Sequence, residues 1–323
     1  MFLLAFPFHA QIFNAGSTEI KLSAEPQMGI TFGKLGEYFY EKDSSGDYKL
    51  LSFLEWEESP LVTYGGSIDF FWKNLGVNLN AAGALPLRCG FMYDSDWLDL
   101  DAVKNNYSIS ENTLSSYLSI SAEIKYALHI KSTTVIFPYA EFMYSYKSLR
   151  ARNGYGWYGQ YPYSKKGNVS WDSDDAKKFE KGSLCGIDYE RLELCTFIGL
   201  TAQQSIKQRA VFLMGIAVSP FTYVRSVDTH WADFAGTYGT DYLDVEKCCF
   251  SRARIFTALY FPVSRILDLG INVCAEAGPL VQGDTFIKNH DDKKFYPYPY
   301  QRYKSGADIY EIRANISCVI HIL

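Results

Sequence analysis

After its first sixteen positions this chain of 323 residues has no run of about 18 uninterrupted apolar residues, so no membrane helix is written in it. No Pro/Gly/Ser-rich linker or composition shift divides it, and large β-barrels commonly reach this length as one domain. Clustered basic charge is missing as well. The formal net charge is −5 with the basic residues scattered, which leaves no electrostatic footprint for nucleic acid. Cysteines number seven (Cys89, Cys185, Cys195, Cys248, Cys249, Cys274, Cys318), an odd count with no CxxC spacing, so neither a zinc site nor a disulfide framework is indicated. They read as small packing residues in strands. A G-x-S-x-G elbow, an HExxH helix and a Gly-rich phosphate loop are all absent, which leaves serine, zinc and nucleotide chemistry without a motif.

Aromatic residues are plentiful at 16%, led by 25 Tyr and 22 Phe, as suits a sheet and the interfacial girdles of a membrane barrel. The opening run MFLLAFPFHAQIFNAG reads as a secretory h-region without the usual basic flank, making residues 1–15 a signal peptide and 16–323 a single domain. Beyond it the dominant period is two. Leu118, Ile120, Ala122, Ile124, Tyr126, Leu128 and Ile130 alternate with Ser119, Ser121, Glu123, Lys125, Ala127 and His129. The same rhythm recurs from Leu267 to Glu276 and from Ile312 to Ile322.

Soluble sandwich strands keep such alternation for about five or six residues. Strands of roughly ten or more, with charges on the polar face, favour a lipid-facing band around a polar lumen. Short turns near Lys73-Asn74, Lys131-Ser132, Gln203 to Ser205 and Pro262 to Ser264 alternate with long polar loops at 41–47, 94–115, 153–180, 228–241 and 284–302. The expected fold is therefore all-β, a ten-stranded antiparallel up-and-down transmembrane β-barrel. Its strands are expected near 26–40, 48–72, 75–93, 115–130, 133–152, 181–202, 206–227, 242–261, 266–283 and 303–323.

Two acidic motifs, Asp94-Ser95-Asp96-Trp97 and Asp228-Thr229-His230-Trp231, close the third and seventh of these strands, which run the same way. Residues i and i+2 of an extended chain share a face, so each motif presents two ionisable groups side by side at the long-loop rim. Three carboxylates and one imidazole suffice for general acid/base hydrolysis by an activated water. Asp228 would orient His230, and the paired carboxylates Asp94 and Asp96 repel, which favours a retained proton on one of them. Asn78 and Asn80 share parity with Asp94 and Asp96, aiming that pair into the lumen. Strand seven is harder to place: Phe212, Met214, Ile216 and Val218 look lipid-facing yet share parity with Asp228 and His230. Inward placement there requires a one-residue slip, which a bulge near Pro220 would supply. Of the other histidines, His129 and His321 sit near the short-turn end, and His290 falls in a Lys/Asp-rich loop where a solvated role is expected.

The segments G-F-M-Y-D-S-D-W (Gly90 to Trp97) and D-T-H-W (Asp228 to Trp231) resemble the omptin family of outer-membrane endoproteases. So do G-K-L-G-E-Y-F-Y (Gly33 to Tyr40), S-F-L-E-W (Ser52 to Trp56), S-L-R-A-R-N-G-Y (Ser148 to Tyr155) and F-I-G-L (Phe197 to Leu200), in family order. The resemblance implies an outer-membrane barrel with its site facing the cell exterior, cleaving polypeptides near basic residues, with Asp94/Asp96 and Asp228/His230 as the catalytic couples. It implies no cofactor and a monomer, with a lipopolysaccharide requirement left open. The family's cation-binding glutamate matches Glu37, but its partner aspartate is replaced by Ser226, leaving one pocket carboxylate where the family has two. A further family acid aligns loosely with Ser110 or Glu111, and the two lipopolysaccharide arginines fall on Tyr146 and Arg191. The alternatives are a non-catalytic barrel serving as adhesin or small channel and, less in keeping with the strand lengths, a soluble lectin-like sandwich.

Overall fold

A computed structural model describes residues 20–98, 103–207, 209–297 and 302–323. The expected signal segment, with His9, lies outside them. Among the described residues fifteen strands form one antiparallel sheet: β1 (Ile20–Lys42), β2 (Tyr48–Trp72), β3 (Leu75–Ala84), β4 (Arg88–Asp96), β5 (Asn106–Tyr126), β6 (Leu128–Lys131), β7 (Thr134–Tyr158), β8 (Lys177–Leu184), β9 (Ile187–Ile206), β10 (Ala210–Trp231), β11 (Gly239–Cys248), β12 (Ala253–Pro262), β13 (Leu267–Asn289), β14 (Tyr296–Pro297) and β15 (Tyr303–His321). β1 pairs with β2 on one side and with β15 on the other, and β5 pairs with β7, so the main strands form a closed ring.

The count exceeds the expected ten because four staves are broken. β3/β4, β5/β6, β8/β9 and β11/β12 each continue one line of the barrel, and β14 is a two-residue pairing onto β13. The break between β3 and β4 holds Pro86, which has no N–H for the ladder. The turn expected at Gln203 to Ser205 lies beyond Ile206 instead, those polar residues remaining paired within β9.

Side-chain placement follows the period of two. Leu118, Ile120, Ile124 and Tyr126 of β5 are all exposed on the outer face, while Glu123 and Lys125 line the central cavity, where Lys125 Nζ meets Asp69 Oδ1 at 2.7 Å. Comparable outward Ile, Leu, Phe and Trp side chains occur around the ring, including Ile68, Leu79, Ile198, Ile216, Ile255, Ile271 and Ile316. A continuous apolar belt of this kind belongs in lipid, not water.

Toward the long-loop end the strands outrun the belt. β5 begins at Asn106 rather than near 115, and β7 continues to Tyr158 rather than 152. Above the belt outward positions such as Arg88, Glu111 and Arg150 are charged, so the apolar-out alternation that marks a strand fades while the ladder continues.

The interior has two storeys. The lower holds an open polar cavity of about 480 Å³ lined by Glu25, Asp69, Glu123, Lys125, Arg254 and Arg313 among others. Above it a buried cluster that includes Leu35, Leu54, Trp56, Met92, Leu114, Leu149 and Tyr189 packs across the lumen. Trp56 on the second stave stacks on Tyr189 of the sixth with ring centroids 5.1 Å apart. Polar ties cross at the same storey: Lys147 Nζ meets Glu58 Oε2 at 2.7 Å and also Glu311, and Arg191 Nη1 donates to the Asp308 carbonyl at 3.0 Å. The two acidic motifs sit above this floor.

Candidate active site

β10 reaches the mouth through an irregularity at the expected place. Its register against β9 jumps between Val218, opposite Ile198, and Phe221, opposite Thr196, so one extra residue is accommodated around Ser219-Pro220. Outward parity switches there from Met214, Ile216 and Val218 to Phe221. Thr222, Val224, Ser226 and Asp228 consequently turn inward and are buried.

The third stave reaches the same result by a different route from a continuous strand. Ala82 lines the cavity and Ala84 is buried, the chain leaves the ladder at Leu85 to Leu87, and a second register jump falls between Arg88 and Phe91. Gly90 takes φ +108° at that jump, and a Cβ there would lie 2.6 Å from Glu57 Oε2. The Glu57 carboxylate accepts the Phe91 N–H at 2.9 Å, fixing the bulge. The two irregularities cancel in parity, and Met92, Asp94 and Asp96 face inward opposite Trp56, Leu54 and Ser52.

His230 Nε2 and Asp228 Oδ2 are 2.5 Å apart, which leaves Nδ1 for a reacting proton. Tyr242 meets the imidazole edge to face at 5.4 Å. Across the mouth, Asn106 Nδ2 donates to Asp96 Oδ2 at 3.1 Å. Asp94 Oδ1 and Asp228 Oδ1 are buried without a hydrogen-bond partner. The His230 side chain keeps a water-facing edge, 40% exposed, whereas Asp228 is buried beside it.

Charge follows from that enclosure. Burial, then the neighbouring Asp96, hold the Asp94 carboxyl well above the ordinary carboxylate range; burial also raises Asp96, against the hydrogen bonds from Asn106 and Ser52. For His230 burial alone lowers the pKa, but the charge and hydrogen bond of Asp228, aided by Asp94 and Asp96, prevail and push it up to about 9. The four groups therefore form one electrostatic unit, although they lie on the third and seventh staves.

Glu37 on β1 is 6% exposed, and its Oε2 is without a hydrogen-bond partner. Burial, then Asp228 and Asp244, hold its carboxyl well above the usual range. Ser226 is also inward and buried, and in register it lies directly opposite Asp244 of β11. Asp244 and Glu246 were not among the residues singled out from the sequence. The signal was available: Asp244-Val245-Glu246 has the same i, i+2 spacing as the two motifs.

Other expectations need correcting. Arg191 is 2% exposed and points into the barrel, paired with Glu193 at 2.6 Å, so it cannot contact lipid; its parity matches that of buried Tyr189 and Glu193. Glu111 faces outward and binds Lys181 at 2.6 Å, away from the mouth, whereas Ser110 is buried. His290 is not simply solvated. Its Nδ1 lies 2.9 Å from Asp241 Oδ1, and its ring meets Trp231 edge to face at 4.6 Å on the outer side of the rim. His321 sits far below, paired with Asp268 at 3.0 Å. The seven cysteines are free thiols.

Comparison with solved structures finds the outer membrane protease OmpT from Escherichia coli, 16% identical, covering 96% of this chain and 100% of that one with a TM-score of 0.80. The translocator domain of the autotransporter NalP from Neisseria meningitidis is also found, 8% identical over 93% of this chain and 90% of that one, but at a TM-score of only 0.31. Comparison with curated protein sequences gives no match. The profile of the Omptin family matches residues 18–260, three quarters of the chain, and the chain belongs to that family.

Proposed function

We propose that this protein is an outer-membrane endopeptidase whose site opens at the exterior mouth of the barrel and hydrolyses polypeptides near basic residues with an activated water. Family membership and the likeness to the OmpT barrel support the coarse reading. The observation that carries the chemistry is the convergence of Asp94, Asp96, Asp228 and His230 into one interacting group above a closed floor.

In this mechanism water lies between the two couples. Asp94 and Asp96 position and polarise it, sharing a proton because two close carboxyls resist joint ionisation. Neutral His230 takes the proton from the water as it attacks the peptide carbonyl. The imidazolium that results is stabilised by Asp228, in keeping with the raised pKa. The protonated member of the aspartate pair is placed to return a proton to the departing amine. The enzyme acts as a monomer, without a resident cofactor, in outer-membrane lipid; whether it needs lipopolysaccharide cannot rest on Arg191, which faces the interior.

A non-catalytic barrel is the competing reading. The stacked Trp56–Tyr189 pair and the Lys147 ion pairs obstruct the lumen and weigh against its channel form. Detergent-refolded protein offered a fluorogenic peptide containing Arg-Arg decides between them. Cleavage that disappears in Asp94→Ala is expected, and a folded barrel that never cuts would leave the adhesin reading.

A further inference from the structure

We propose that Asp244 and Glu246 supply the negative charge that Ser226 leaves out of the substrate pocket, so that an arginine side chain of the substrate is held between Glu37 and Asp244 with Glu246 beneath. This inference rests on the endopeptidase reading and assigns specificity to two residues outside both motifs.

Three observations carry it. In the β10–β11 ladder Ser226 is the direct partner of Asp244, so a carboxylate lost from one strand is present on its immediate neighbour. Inward parity is shared by Ser226, Asp244 and Glu246, all buried. Unsatisfied oxygens are numerous: Glu37 Oε2, Asp244 Oδ1 and both carboxylate oxygens of Glu246 are enclosed without a well-formed hydrogen bond, and Trp56, Thr285 and Ser305 beside them offset the burial only in part. Buried carboxylates without partners are costly, and their concentration at one place marks a site that a cation completes.

The nearby fixed cation offsets the group only in part, easing Glu246. Arg191 faces Glu246, but its guanidinium is hydrogen-bonded to Glu193 at 2.6 Å and to the Asp308 carbonyl at 3.0 Å. Mutual repulsion is evident instead: after burial, Asp228 and Asp244 raise Glu37, and Glu246 raises Asp244.

The shape of the group selects the kind of cation. Among the described residues no three His, Cys, Asp or Glu side chains converge on a point as a metal ion requires. The carboxylates instead come from β1 and from successive inward positions of β11, a spread that suits a planar guanidinium with several donors. Its neighbour Asp228 also belongs to the His230 couple, so a bound arginine would set the scissile bond beside the water.

The test uses two peptides that differ only in arginine or its neutral isostere citrulline before the scissile bond. Wild-type protein is expected to prefer arginine in kcat/KM, with Asp244→Asn lowering that preference about ten-fold or more and Glu246→Gln lowering it less. The exchange Asp244→Ser with Ser226→Asp should recover it, because the charge returns to the opposite strand at the same level. An unchanged arginine preference in Asp244→Asn, in barrels that keep heat-modifiable migration, would overturn the assignment. Should wild-type protein cut neither peptide, the endopeptidase reading fails. Fluorescence anisotropy with the same labelled peptides then decides the pocket separately: arginine-selective binding lost in Asp244→Asn supports it, and equal binding of both peptides refutes it.

Discussion

His230 holds its proton more tightly than a free imidazole because Asp228 stands at its Nε2 and two further carboxylates face it. The raised pKa has two consequences with opposite signs. The ion pair contributes stability that is complete below the unfolded value near 6.5 and is lost as pH rises through about 9. Catalysis needs the neutral ring, so kcat/KM should climb with pH toward about 9. Asp228→Asn should move that rise toward neutral pH while reducing the maximum, as a pH–rate profile would show; an unmoved limb would detach it from His230. The sequence made the four motif residues legible because i, i+2 spacing is a local property, whereas Glu37 was visible only through the resemblance to the family. It did not reveal the carboxylates that gather near Glu37, since the pairing of Ser226 with Asp244 depends on register across a loop. His290 was misjudged for a similar reason: its tie to Asp241 joins residues 49 apart in the chain.

Two bulges decide whether the strands deliver those residues to the lumen. The alternation in β10 conflicts with itself on either side of Pro220, and such a conflict is how a bulge becomes visible in a sequence; the register jump lies there. Removing Pro220 should restore continuous alternation and turn Asp228 and His230 outward, because a one-residue slip reverses the faces. Peptide cleavage should fall to background while the apolar belt still inserts and the barrel still migrates as folded. Retained cleavage would show that the bulge is not what aims the pair. The corresponding bulge in β4 was hidden, since the break at Leu85 to Leu87 compensates it and parity counted straight through gave the right face by an incomplete route. Gly90→Val should test it: the side chain would meet Glu57 in a backbone region β-branched residues avoid, and lower activity should accompany about 1–3 kcal/mol of local strain. An active, equally stable variant would argue against that geometry.

At the scale of the barrel, alternation identified the staves and the lipid belt, and the long-loop rim followed from the order of turns. What lay beyond reach was the wall above the lipid, where outward residues are no longer forced to be apolar, and the floor that divides the lumen. That floor comes from cross-barrel contacts, Trp56 with Tyr189 and Lys147 with Glu58 and Glu311, which no local pattern encodes. Lys147→Met would leave buried Glu58 without a cation and Glu311 with only Arg313 at 3.8 Å, and should destabilise the barrel by about 3–5 kcal/mol. A urea midpoint followed by heat-modifiable migration measures this, and a variant as stable as wild type would mean that the ion pairs do not hold the floor.

The central claim is that a water poised between Asp94/Asp96 and Asp228/His230 cuts the peptide bond. The most direct measurement is kcat/KM for one arginine-containing peptide with wild type and His230→Ala, from neutral pH through the region of about 9. The expected result is a wild-type rate that rises across this range and a variant that is folded, nearly flat with pH, and slower by about 10² to 10⁴. A folded His230→Ala barrel with wild-type rates and the wild-type pH profile would contradict it.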